Sequence, residues 1–175
     1  MPTFDRLAVC FATVALLAAE TSQAGPNFGR PATANEVAAW DISIPPDGSG
    51  LPPGSGTAKQ GAAVYAAKCV ACHGERGIGK PADALVGGIG TLASAAPLKT
   101  VGSYWPYATT LFDYVRRAMP YDKPMSLSSD EVYAVSAYIL SLNGIIHEDA
   151  SVDAVTLPNV KMPNRHGFVD YWRQR

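Results

Sequence analysis

Five consecutive residues, Cys69-Val70-Ala71-Cys72-His73, restrict this chain more than any other feature in it. Thiols at positions i and i+3 sit about one helical turn apart on the same side. That spacing suits addition to the two vinyl groups of a haem, and the adjacent histidine then brings its ring over the iron as the proximal ligand. Two other chemistries use paired cysteines. Disulfide exchange belongs in a strand-rich, thioredoxin-like setting, which the flanking sequence does not offer. Zinc needs a fourth ligand, and the remaining histidines are His147 and His166.

The rest of the chain suits a core built around a cofactor. Of 175 residues 47% are hydrophobic and 17% charged, which excludes a disordered chain. The 16 glycines and 14 prolines argue against a plain helical bundle. The net charge of −1 supplies no basic footprint, so no nucleic-acid partner is expected. Three helices are predicted. From Thr57 a pattern places Gly61, Tyr65 and Cys69 on one face. A second runs from about Tyr107 to Ala118, with Leu111 and Val115 on one face, and Pro120 stops it. The third opens on a capping box, Ser128 to Glu131. It carries Val132, Val135, Ile139 and Leu142 inward and ends at Asn143-Gly144. Between the first two, residues 74–106 form a Gly- and Pro-rich stretch too long for a compact domain unless it wraps around something. Three short helices make a meagre core, and a domain of this size often needs a metal, a disulfide or a cofactor to complete it.

Both ends extend beyond that body. Arg6 followed by the apolar run Leu7 to Ala19 reads as an export signal, cleaved after Ala24 in Ser22-Gln23-Ala24. Cys10 leaves with it. Residues 25–56 read as an arm and linker, with one helix opened by Thr33 and Glu36 and a connector rich in Pro and Gly from Ile44. Residues 57–144 are the haem domain and 145–175 a tail. No second apolar run approaches the ~20 residues needed to cross a bilayer, so the expected location is the periplasm, without a membrane span.

For the sixth position on the iron the first candidate is Met119, held by Pro120 at the end of the second helix; Met125 is the runner-up and Met162 is distant. Each methionine also has a reading as core filler. Trp105 and Tyr104 are candidate donors to the haem propionates, or simply buried aromatics. Tyr65 and Tyr138 are expected to meet where the first and last helices cross, with Gly61 allowing close approach. Arg116 and Arg117 read as a solvated face. No Ser-His-Asp set or carboxylate pair stands out, and Gly87-Gly88-Ile89-Gly90 lacks the strand and lysine of a phosphate loop. Met/His ligation raises the reduction potential and closes the iron, which favours electron transfer over the oxygen or peroxide chemistry of a sensor or peroxidase.

These residues resemble a known family. Gly61, Tyr65, the Cys-x-x-Cys-His run, Met119-Pro120 and a terminal helix with Tyr138 are similar to a class I cytochrome c. The resemblance implies an all-α fold of three main helices around one covalently bound haem c, extended here by the N-terminal arm and C-terminal tail. More specifically, Gly29-Arg30-Pro31-Ala32-Thr33, Trp40-Asp41-Ile42, the segment Thr100-Val101-Gly102-Ser103-Tyr104-Trp105-Pro106-Tyr107 and Met162-Pro163-Asn164-Arg165 resemble the cytochrome subunit of bacterial sulfite dehydrogenase and of sulfane dehydrogenase. That implies a molybdopterin-containing catalytic partner, a downstream cytochrome or oxidase as acceptor, and no catalytic residues in this chain. The sequence departs from the family pattern at Asp83, where a proline is expected nearby, at Met125, where glycine is usual, and at His166, where aspartate is usual. The alternative is a free, diffusing cytochrome c that delivers electrons to a terminal oxidase.

Overall fold

The computed structural model describes residues 29–174. The expected export signal lies outside the described residues. The chain divides into two units between Asp41 and Ile42.

The first unit contains one helix, α1 (Ala34–Trp40), and its capping box is complete. The Thr33 hydroxyl accepts from the Glu36 N–H at 3.3 Å, and the Glu36 carboxylate accepts from the Thr33 N–H at 2.8 Å. Arg30 adds a paired guanidinium at 2.8 Å, which with the Thr33 bonds pulls the Glu36 carboxyl down to about 2. No residue of α1 is buried.

The second unit holds β1 (Ser55–Thr57), α2 (Ala58–Lys68), the single turn α3 (Val70–His73), α4 (Ala108–Ala118), α5 (Ser129–Leu142) and β2 (Ser151–Asp153). Local chemistry sets the ends of the helices. Thr57 with Gln60 opens α2, and Ser128 with Glu131 opens α5, each as a reciprocal capping box. Helix α4 stops because a residue before proline is pushed out of the helical region. Met119 accordingly takes an extended backbone, φ −123° and ψ 145°.

The crossing of α2 and α5 is the tightest point of the fold. A Cβ on Gly61 would stand 1.9 Å from the Ala134 carbonyl oxygen, so only glycine lets the backbones approach this closely. Tyr65 and Tyr138 meet beside it, ring centroids 5.4 Å apart. Helix α4 packs on α5 through Phe112 and Tyr133, whose rings lie 4.5 Å apart within a core that includes Leu111, Val132 and Leu140.

Helix α5 is enclosed more completely than its apolar stripe suggests. Leu142 is only half-buried, whereas Tyr133, Ser136, Ala137 and Leu140 are fully enclosed. Residues from both ends of the chain supply the extra cover. Ile44 is buried and donates its N–H to Asp113 at 3.1 Å, the Tyr133 hydroxyl donates to the Pro52 carbonyl at 2.9 Å, and the Ser55 N–H donates to Asp130 at 2.8 Å. Strand β1 pairs antiparallel with β2, Gly56 opposite Val152, and the tail buries Val152, Leu157 and Met162. Residues 42–56 therefore belong to the same compact unit as the helices, and a three-residue ribbon joins a fold otherwise made of helices. The ribbon forms because each extension brings backbone groups that need partners, and each satisfies the other.

Residues 74–107 contain one short 3₁₀ turn, Glu75–Gly77, and no other regular element. Side chains hold this long loop in place. Asn143, at the end of α5, accepts from the Gly87 N–H at 3.0 Å and donates to the carbonyls of Leu85 and Ile139 at 3.2 and 2.9 Å. Among the described residues, no helix is long and apolar enough to cross a membrane.

Candidate haem site

The Cys-x-x-Cys-His run sits where α2 gives way to α3. The Cys69 N–H still bonds the Tyr65 carbonyl at 2.9 Å, and the His73 N–H bonds the Cys69 carbonyl at 3.0 Å, so the turn places Cys69, Cys72 and His73 around one end of the helix. Tyr65 closes the exit by donating to the Gly74 carbonyl at 2.8 Å. Burial, more than the neighbouring Cys69, raises its phenol to about 12, so it stays a donor at any working pH.

The imidazole of His73 is oriented by a backbone group. Its Nδ1 lies 2.9 Å from the Asp83 carbonyl oxygen. A carbonyl only accepts, so Nδ1 carries the proton and Nε2 keeps its lone pair for a metal. The departure from proline noted near this position leaves the interaction intact, because a backbone carbonyl is present whatever the side chain.

Cys69, Cys72 and His73 open into a cavity of about 530 Å³. Met119 lies on the same cavity, brought there by its extended backbone before Pro120. Leu111, Val115, Val135 and Ile139 form an apolar wall. Both thiols are free. A flat apolar ring bearing two vinyl groups fits this set: two thiols one turn apart, an imidazole with a free lone pair, a thioether, and an apolar wall lacking side chains to fill the space.

Disulfide exchange fits less well. Burial raises the Cys69 thiol to about 11, with Cys72 adding to the effect, whereas exchange needs a thiol whose pKa is lowered. A zinc site is likewise unsupported: among the described residues no group of three or more His, Cys, Asp or Glu is placed to hold a metal ion. His147 stands exposed with Asp149 3.4 Å away. On the first unit an open groove of about 710 Å³ surrounds Arg30, Glu36 and Trp40, and carries none of the motif chemistry.

The other candidates separate cleanly. Met125 is 61% exposed, does not line the cavity, and has φ +61°, the left-handed conformation that favours glycine. Met162 is buried in the packing of the tail. Trp105 lines the cavity with its ring edge-on to Tyr114 at 5.7 Å. Tyr104 does not line it; its ring packs on Phe168 at 5.2 Å, with the Lys99 ammonium 5.1 Å from the ring centroid. Arg117 pairs with Asp113 and Arg165 stacks over Tyr107. Sequence reasoning passed over Lys99, Tyr114 and Tyr121, all of which line the cavity. No spacing rule marks them, since the long loop and the folding of α4 bring them there.

A helical body wrapped around an apolar cavity, with paired thiols and a histidine at one end, defines an electron-carrying haem protein. The chain belongs to the cytochrome c family, as a class I member that binds haem c covalently and carries electrons; the family model "Cytochrome c" matches residues 58–143. It is similar to a chain in the crystal structure of the sulfane dehydrogenase SoxCD from Paracoccus pantotrophus. The two are 41% identical with a TM-score of 0.78, over 85% of this chain and 74% of that one. No curated protein sequence matches it.

Proposed function

We propose that this chain is the haem subunit of a periplasmic, molybdenum-dependent sulfite or sulfane dehydrogenase, and that it passes electrons singly from that partner to a downstream cytochrome or oxidase. The observation that carries the reading is the extent of the likeness. The match to the sulfane dehydrogenase chain spans 85% of this sequence, whereas the haem domain common to the family ends at residue 143. A diffusing carrier needs only that domain. Here Ile44, Val152 and Leu157, all outside it, are buried against it.

In this reading Cys69 and Cys72 would hold a haem through thioether bonds, and His73 and Met119 would ligate its iron. The haem, when bound, supplies one-electron exchange at its iron. The surrounding residues set the conditions for that exchange. The Asp83 carbonyl holds the His73 Nδ1 proton and so fixes which nitrogen faces the metal. Pro120 keeps Met119 extended at the wall. Leu111, Val115, Val135 and Ile139 exclude water, which favours the less charged, reduced state and raises the potential. Oxidation of the sulfur compound belongs to the partner; this chain contributes no catalytic residue.

Native purification of the full chain from a periplasmic fraction tests the assembly. Co-purifying molybdenum and prompt haem reduction by sulfite or a sulfane donor are expected. A lone haem protein that both donors leave oxidised would return the assignment to a diffusing carrier. For the ligands, Met119→Ala is expected to lower the potential and admit carbon monoxide to the reduced protein, while Met125→Gly leaves both properties unchanged. The reverse pattern would make Met125 the ligand. Mass analysis of the mature chain, expected to begin at Gly25, checks the export signal.

A further inference from the structure

Residues 42–56 are tied by carboxylates to two of the helices they precede. Asp113, on α4, accepts from the Ile44 N–H at 3.1 Å, and Asp130, on α5, accepts from the Ser55 N–H at 2.8 Å. The two tethers differ in burial and in what their helices lead to. Asp113 is 8% exposed, whereas Asp130 stands at the surface. A buried carboxylate is costly unless its oxygens are paired, and the second oxygen of Asp113 is met by the Arg117 guanidinium one turn along the helix. Helix α4 ends at Met119, while α5 contains no candidate ligand of the iron.

The helical repeat puts Asp113 behind the cavity wall. Leu111 and Val115 share the face of α4 that lines the cavity, and Asp113 points about 160° away from each. The segment bonded to it is fixed from its far side in turn. Ile44 is buried in the same core as Phe112 and Leu157. Gly48 lies against the 3₁₀ turn Leu157–Asn159 of the tail, where a Cβ would stand 2.4 Å from the Pro158 Cγ. Helix α4 therefore has the cavity on one side and a secured stretch of backbone on the other. On the cavity side its packing partner is the cofactor, so the protein sets the helix position from the back.

We propose that Asp113 is a positioning residue for the axial methionine: by tying α4 to the backbone at Ile44 it keeps Met119 in place as a ligand and resists its displacement by others. The inference rests on Met119 ligating the iron, as proposed above. Met119 follows α4 directly. Its N–H bonds the Val115 carbonyl at 3.1 Å, so a shift of the helix passes to the thioether with no flexible residue between. Asp130 has no such line to Met119, because the stretch from Pro120 to Ser128, exposed throughout residues 121–126, separates that methionine from α5.

The test uses the full chain with covalent haem, confirmed by mass, and lets added imidazole compete with the methionine on the oxidised iron. In Asp113→Ala the affinity for imidazole is expected to rise about tenfold, what one hydrogen bond to a charged group is worth, and the methionine-to-iron charge-transfer band to weaken. Asp113→Asn keeps an oxygen for the Ile44 N–H and is expected to return to within about twofold of the wild type. Gly48→Val acts from the tail side. That residue has φ +83° and no room beside Pro158, so the segment must move, and a rise in the same direction is expected. If Asp113→Ala yields no haem protein, the Gly48→Val result decides. Asp130→Ala cuts the tether to α5 and is expected to bind imidazole as the wild type does, even where denaturant unfolding shows lost stability. An Asp113→Ala protein with wild-type imidazole affinity, or an Asp130→Ala protein that matches its rise, overturns this proposal and leaves the haem site standing. A wild type without the methionine charge-transfer band overturns both this proposal and the assignment of Met119.

Discussion

The α2–α5 crossing and the loop over residues 74–107 are both parts of one wall-and-floor arrangement, yet they are held by different means. At the crossing, protein atoms close the space: Gly61 sits against the Ala134 backbone, and Tyr65 is buried. In the loop, Leu85 and Trp105 are only half-buried, and the backbone is kept in place by hydrogen bonds from Asn143, Thr100 and Ser103. The chain completes one half of its core by itself and leaves the other half to the haem.

The strongest way to break that contrast is to prevent attachment. Cys69→Ala with Cys72→Ala is expected to abolish covalent haem, read by mass. Hydrogen exchange should then show the loop losing its protection while α2 and α5 keep theirs. If the crossing melts together with the loop, it does not stand on protein packing alone. Gly61→Val attacks the other half. A side chain there meets a backbone carbonyl that cannot yield, and a loss of about 3 kcal/mol is expected in denaturant unfolding. Retention of wild-type stability would show that the helices can slide apart without cost.

Asn143→Ala removes the bonds to Gly87 and Leu85 and is expected to cost about 2 kcal/mol, with faster exchange confined first to the loop. Uniform loss of protection would instead make Asn143 a mere helix cap. The smallest effect concerns Glu131→Gln, which keeps the capping geometry and deletes the charge that meets Lys68. Lys68, followed by the Ser128 N–H, holds the Glu131 carboxyl below its ordinary value. A depressed carboxyl contributes stability above its unfolded pKa of about 4.3 and loses it as the pH falls through the folded value. The wild type should therefore exceed the variant by about 0.5 kcal/mol at neutral pH, and the gap should close in acid. A gap that persists there would have a cause other than charge.

Much of this arrangement is legible in the sequence because short-range chemistry writes it there. Capping boxes announce α2 and α5, the spacing of Gly61, Tyr65 and Cys69 announces the crossing face, and Pro120 announces where α4 ends with Met119 on the cavity. What stays hidden depends on distant partners. Asn143 reads as a helix terminus, and only the fold reveals that its amide holds a loop more than fifty residues away. The Asp83 carbonyl that orients His73 carries no side-chain signature at all. Tyr104 and Trp105 are neighbours of the same chemical kind, and only backbone direction sends one to the cavity and the other to Phe168. The burial of Tyr133, Ser136, Ala137 and Leu140 is hidden likewise, since part of the cover of α5 comes from both ends of the chain.

The β1–β2 ribbon has a consequence for how such a chain can change over generations. Its two strands lie on opposite sides of the haem domain in sequence, yet each is the other's hydrogen-bonding partner. A lineage that shed the segment after Ile145 would leave β1 with an open edge and uncover the buried flank of α5, and loss of the segment before Thr57 would strand β2 in the same way. The two extensions are thus heritable only as a pair, which makes the simultaneous presence of both a single character rather than two.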